Sequence, residues 1–353
     1  MTDLDSPERF AALDCEGMLR SIADLPQQCE DTWTRARLMR LPDGYGQVQE
    51  AVIVGLGGSA IGGDLLRGLL VQECSIPLTV HRDYLVPASV DRGTLVIVCS
   101  YSGNTEEALV GFDSARRKGA RLVCITTGGE LEHRAIEHGA YLCSYRYDAQ
   151  PRAALGYALM FLLGVAQSLG WIKDKSADVA EAVAVMRQWQ SEIKESVPVA
   201  ENAAKGLAQR LYGRVPVVYG AEHLGAVARR WKGQFNENAK SWAMFDVLPE
   251  LNHNSVVGYP LPKGWTDLAY VVLLTSTLNH PRVRLRFEIT RELLQRYGFA
   301  HETIQARGNS ALAHVLSTVH FGDYVSYYLA ILYGVDPWSI GNIEFVKKRL
   351  EQA

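Results

Sequence analysis

From Ala51 onward the chain alternates short β-branched apolar runs with longer stretches whose apolar residues recur at helical spacing. A run that is apolar at consecutive positions leaves no face for water. Such runs read as strands of a parallel sheet covered on both sides, with the amphipathic stretches as the covering helices. The expected strands are AVIVG from Ala51, PLTVHR from Pro77, TLVIVCS from Thr94, RLVCIT from Arg121 and AYLCSY from Ala140. Helices are expected at 59–71, 104–118 and 130–138, and a further one should begin near Pro151, because proline suits a first helical turn. The residues before about Val48 read as helical and irregular.

A helical connector follows over roughly 177–209, and then the rhythm returns. VPVVYGAEHLGAVARRW from Val215 repeats the order of AVIVGLGGSAIGGDLLRG from Ala51. DLAYVVLLTSTLNHPRVRLRFEITRELLQRYG from Asp267 answers TLVIVCSYSGNTEEALVGFDSARRKG from Thr94. The pattern reads as a duplicated unit, although any two doubly wound domains share this much. The expected fold class is α/β, with two doubly wound parallel-sheet subdomains of three layers and helices at both ends. The expected division is an N-terminal helical segment at 1–48, a first subdomain at 49–172, a connector at 173–210, a second subdomain at 211–335 and a C-terminal helix at 336–353. The second copy lacks one feature of the first. Where the first has SYSGNTEE, the second has TSTLNHPR, with no glycine and a proline.

Composition narrows the classes of function. The chain of 353 residues is 48% apolar and 21% charged, a soluble globular balance. Its longest apolar stretches are too short to cross a bilayer, and Met1 leads into acidic, polar sequence rather than a secretory signal, so a cytoplasmic protein without a membrane partner is expected. The six cysteines (Cys15, Cys29, Cys74, Cys99, Cys124, Cys143) have neither metal-knuckle nor redox spacing and read as small core residues. A net charge of −3 offers no basic footprint for nucleic acid. No His/Asp/Glu cluster has metal-site spacing, and the reading calls for no metal and no cofactor.

The candidate chemistry lies in two turns that follow strands and open helices, GLGGSAIGGD at 55–64 and SYSGNTEE at 100–107. Ligands bind at the carboxyl ends of strands in an open parallel sheet, and helix N-termini offer unpaired N–H groups to an anion. Gly58 allows close backbone approach, while Ser59, Ser100, Ser102 and Thr105 supply hydroxyls that can donate to phosphate oxygens. Gly55, Gly57, Ala60 and Asp83 also meet a relaxed dinucleotide fingerprint, but that reading leaves SYSGNTEE unexplained. A third possibility is that the small residues only pack helix on strand, which suits Gly62 and Gly63 better than the hydroxyl-rich turn.

These turns, together with PRAALGY at Pro151, WKGQFNENAK at Trp231 and LPELNHN at Leu248, resemble the bifunctional phosphoglucose/phosphomannose isomerases of the sugar isomerase (SIS) domain superfamily. The resemblance runs from about Gly55 to the C-terminus. It implies two SIS-type subdomains and interconversion of glucose 6-phosphate, and also mannose 6-phosphate, with fructose 6-phosphate through a cis-enediol. It assigns the base to Glu237, since a carboxylate suits the carbon-bound proton. His253 is implied as the group that helps open the sugar ring, reached across a homodimer interface. Arg152, at a helix start, could place positive charge beside the enediolate. A lysine in the last helix is also implied, and the register selects Lys347 over Lys348. The bland readings are a solvated Glu237 beside Lys240, an exposed His253, a surface Arg152 and a solvated KKR run. Trp338 and Ser339 stand where the family usually has Thr-Pro. Rival functions are a sugar-phosphate sensor on the same fold and an aminosugar-phosphate isomerase.

Overall fold

In the computed structural model, which describes residues 4–352, the chain divides into two units. One gathers Ala23–Arg187 with Arg307–Ser317; the other gathers the chain up to Ile22, Gln188–Ala306 and the chain from Thr318. Three helices come first: α1 (Pro7–Leu13), α2 (Met18–Ala23) and α3 (Leu25–Ala36).

The unit containing Ala23–Arg187 is built on β1 (Glu50–Val54), β2 (Leu78–His81), β3 (Thr94–Ser100), β4 (Arg121–Thr126) and β5 (Tyr141–Ser144), all parallel, in the order β2-β1-β3-β4-β5. Every residue of β3 is buried, as its unbroken apolar run requires. Between the strands run α4 (Gly57–Leu70), α5 (Glu106–Arg117) and α6 (Gly129–Glu137). Gly63 lets α4 lie on β1, since a Cβ there would meet Ile53 at 3.0 Å, and Gly62 faces Ala158 of a helix later in the chain. For these two glycines the packing reading holds.

The helix expected at Pro151 starts differently. Pro151–Ala153 form a 3-10 turn, and α7 (Leu155–Ser168) begins after it. The cause is Gln28 of α3, whose side-chain amide donates to the Ala153 carbonyl (2.8 Å) and accepts from the Gly156 N–H (3.2 Å). A residue far away in sequence thus interrupts the first turn. The connector consists of two helices, α8 (Ser176–Ile193) and α9 (Ala203–Leu211). Pro198 lies in the break, and Asn202 caps α9 by accepting from Ala204 and Lys205 N–H groups at 3.1 and 3.0 Å.

The other unit carries β6 (Val215–Ala221), α10 (Gly225–Glu237), β7 (Met244–Leu248), α11 (Trp265–Leu268), β8 (Ala269–Thr275), α12 (Pro281–Tyr297) and β9 (Ala300–Gln305). Its parallel strands run in the order β7-β6-β8-β9, the same crossover pattern as β2-β1-β3-β4. The repeat seen in sequence is therefore a repeat in topology. The LPELNHN segment holds a 3-10 turn at Glu250–His253. Then come α13 (Ala311–Tyr333), apolar and almost wholly buried, and α14 (Gly341–Leu350), which buries nothing. No helix among the described residues is long and apolar enough to cross a membrane. All six cysteines are free thiols, and burial pushes those of Cys29 and Cys143 up to about 12.

Candidate functional site

The turn after β1 opens α4 and the turn after β3 opens α5, and because β1 and β3 are paired neighbours the two turns lie side by side. They are also tied directly, since the Tyr101 N–H donates to the Ser59 hydroxyl at 3.1 Å. Ser100 is buried; its hydroxyl donates to Thr105 Oγ1 (3.0 Å) and accepts from the Gly103 N–H (3.1 Å). Thr105 is the N-cap residue of α5, yet its side chain makes no capping bond. The first amides of α5 thus lack an intrahelical partner and are not satisfied by the cap. Ser102 is exposed at the tip, where its hydroxyl accepts from the Asn104 N–H at 3.2 Å.

Glycine is required at one position of this turn. Gly103 has φ +69°, and any Cβ there would collide with the Gly128 carbonyl. The turn is pinned to the segment after β4 by Leu131 N–H donating to Gly103 O (2.9 Å) and Glu130 N–H donating to Asn104 Oδ1 (3.0 Å). Gly58 serves a different approach. A Cβ on it would stand 2.8 Å from the Pro151 carbonyl and 2.9 Å from Arg152 backbone atoms. This contact brings Arg152 to the same end of the sheet as the serine turns. Arg152 is only 2% exposed, so it is not the surface arginine that a helix start would suggest. Its guanidinium donates to Gln150 Oε1 at 3.3 Å.

One unit therefore brings together Gly58, Ser59, Ser100, Ser102, Thr105 and Arg152: hydroxyls, helix N-termini and one buried cation. The arrangement can hold a small anion without an exposed basic patch. Sequence reasoning passed over Tyr101, whose hydroxyl accepts from the Ala149 N–H at 3.0 Å and donates to the Tyr147 carbonyl. Tyr101 thereby holds the loop leading to Arg152 against the serine turn. It stood inside the SYSGNTEE motif, but an aromatic between two serines reads as a spacer.

Glu237, His253 and Lys347 belong to the other unit. Glu237 is the last residue of α10 and is half-buried. Lys240, at φ +53°, curls back so that its ammonium donates to the carbonyls of Glu237 (2.9 Å), Asn238 (3.2 Å) and Asp336 (2.5 Å). The two asparagines beside Glu237 fasten the same helix end. Asn238 donates to Ser326 Oγ at 3.0 Å and Asn236 to the Ser241 carbonyl at 2.8 Å. His253 ends its 3-10 turn with an exposed ring, between an Asn252 bound to Thr290 (2.9 Å) and an Asn254 bound to Glu250 (2.9 Å). Lys347, like Lys348, is exposed on α14. Ahead of that helix, the Trp338 and Ser339 N–H groups donate to the Asp336 carboxylate at 2.8 and 3.3 Å.

Residues 200–350 match the bacterial phospho-glucose isomerase C-terminal SIS domain. A bifunctional phosphoglucose/phosphomannose isomerase of Caldicellulosiruptor bescii is 41% identical over 336 residues, 95% of this chain and 99% of that protein. One of Aquifex aeolicus is 38% identical over 85% of this chain and 90% of its own length. Among solved structures, a tagatose-6-phosphate ketose/aldose isomerase from Escherichia coli superposes with a TM-score of 0.70, covering 91% of this chain and 94% of that one; at 16% identity the likeness is one of fold.

Proposed function

Because the chain belongs to the bifunctional phosphoglucose/phosphomannose isomerase family, we propose that it interconverts glucose 6-phosphate and mannose 6-phosphate with fructose 6-phosphate. The observation that carries the reading is the pair of hydroxyl-bearing turns at the N-termini of α4 and α5, tied to each other through Ser59 and set beside the buried Arg152.

In this reading Gly58, Ser59, Ser100, Ser102 and Thr105 hold the phosphate, and binding at that remote group positions the reacting carbons. Glu237 moves the proton between C1 and C2. Its carboxylate takes the proton from C2 of the aldose and returns it to C1, leaving the ketose. Arg152 stabilises the enediolate oxygen by charge. His253 assists ring opening as a proton donor and acceptor, and Lys347 supplies a further cation at the sugar. The enzyme acts in the cytoplasm as a homodimer. What supports the dimer is α14, where Ile343, Phe345, Val346 and Leu350 are each at least 40% exposed, a row of apolar groups suited to a second copy.

Mannose 6-phosphate is included because C2 of the enediolate is planar and keeps no memory of its configuration. A coupled assay with glucose, mannose and glucosamine 6-phosphates tests the reading. Turnover of the first two is expected. A glucose preference above about a thousandfold exceeds the ~1–3 kcal/mol of one steric mismatch and would sink the bifunctional part. Binding without turnover would instead favour a sensor, and selective glucosamine 6-phosphate conversion an aminosugar enzyme.

A further inference from the structure

The second copy of the repeat departs from the first at the place where the first is open. In the first, Gly57 follows Gly55 by two residues and has φ +50°. In the second, Glu222 follows Gly220 by two residues after β6 and has φ +49°. The same left-handed backbone is thus kept, but with a glutamate, a residue that is rarely placed there. The neighbouring turns correspond as well. Thr105 is the N-cap of α5 and Asn104 precedes it; His280 is the N-cap of α12 and Asn279 precedes it.

The Glu222 carboxylate is seated on that second turn. It accepts from the Asn279 side-chain amide at 2.6 Å and from the His280 N–H at 3.1 Å. Asn279 is 3% exposed, so its donor is aimed from within the protein at the carboxylate. We propose that Glu222 is a specificity-determining residue: a built-in anion that fills the second copy's counterpart of the phosphate seat and so confines phosphate to the first. The inference rests on the reading of the first-copy turns as the phosphate site. Two donors that would otherwise meet a ligand oxygen already have a carboxylate, and a free phosphate would meet its negative charge.

The test uses the full-length protein and inorganic phosphate, read by calorimetry. Glu222→Gly restores the glycine of the first copy at a backbone angle that glycine adopts freely. Made in a Ser102→Ala/Thr105→Ala background, it is expected to add one equivalent of phosphate binding that the background lacks. Glu222→Ala serves in the same way if the glycine variant does not fold. A folded variant that gains no equivalent overturns the proposal. Because the readout is the added equivalent, phosphate retained by the Ser102/Thr105 background would count against the first-copy assignment and not against Glu222.

Discussion

The helix end that carries Glu237 is fastened by its neighbours. Lys240 gathers the carbonyls of Glu237, Asn238 and Asp336, so the end of α10 is fixed where an unrestrained helix would fray. Glu237→Gln leaves that clasp intact, because its donor is the Lys240 ammonium and its acceptors are backbone carbonyls. The variant should fold and lose about 10²–10⁴ in kcat, the usual contribution of a positioned base, and solvent deuterium should stop appearing at C2 of recovered substrate. Near-normal turnover would place the base elsewhere. A second residue makes the fold sensitive to acid. His320 is fully buried, donates from Nε2 to the Ile22 carbonyl at 3.0 Å, and burial lowers its pKa to about 4 from 6.5. Below pH 6.5 the unfolded chain takes up a proton that the folded chain refuses until about pH 4, so stability falls across that window and is unaffected at neutral pH. Denaturant unfolding should show about 2 kcal/mol lost between pH 7 and pH 5, and His320→Gln should flatten that slope. At this scale the sequence marked Arg152 and Glu237 by type and motif but could not show their surroundings. Arg152 is buried with its backbone against Gly58, and the asparagines that made Glu237 look functional turn out to tie down a helix end. Glu222 was invisible as more than a turn residue, since nothing in a glutamate's identity announces a positive φ.

Elements were legible where consecutive apolar residues left only one solution. All five strands of the first sheet lie where the apolar runs placed them, to within one residue at either end. Elements set by distant partners were not legible. The delayed start of α7 depends on Gln28, and the break in the connector depends on Asn202 capping a new helix. The phosphate turns combine both kinds of information. Their hydroxyls were read from the motif, while the bond from Tyr101 N–H to Ser59 that couples the two turns is tertiary. Ser102→Ala with Thr105→Ala removes two hydroxyls from one turn without touching Gly103, whose conformation holds the loop. Each hydrogen bond to a charged group contributes about 1.5–3 kcal/mol, so losing two should raise KM about a hundredfold or more while circular dichroism stays unchanged. Unaltered KM would detach the phosphate from this turn.

At the scale of the whole molecule, the exposed α14 and the proposed role of His253 are the grounds on which a second subunit is proposed. Mixing inactive Glu237→Gln with inactive His253→Ala protein should restore activity if each site draws these residues from different chains. Subunits that exchange, as shown by a fluorescent label, without any return of activity would end the shared-site picture. The fold class was readable at this scale because both sheets are parallel and the strand order repeats. The path of the chain was not, because sequence periodicity reports local structure and each unit is assembled from separated segments. Interleaving of this kind restricts recombination. The chain passes from one unit to the other after Ile22, Arg187, Ala306 and Ser317, so no single crossover in the gene can replace one unit with a relative's and leave the other whole. A chimaera joined at Arg187 would pair a parental 23–187 with a foreign 307–317 inside one interior. Lineages of this protein are therefore expected to diverge by point substitution within matched interiors, with exchange of halves selected against at every junction.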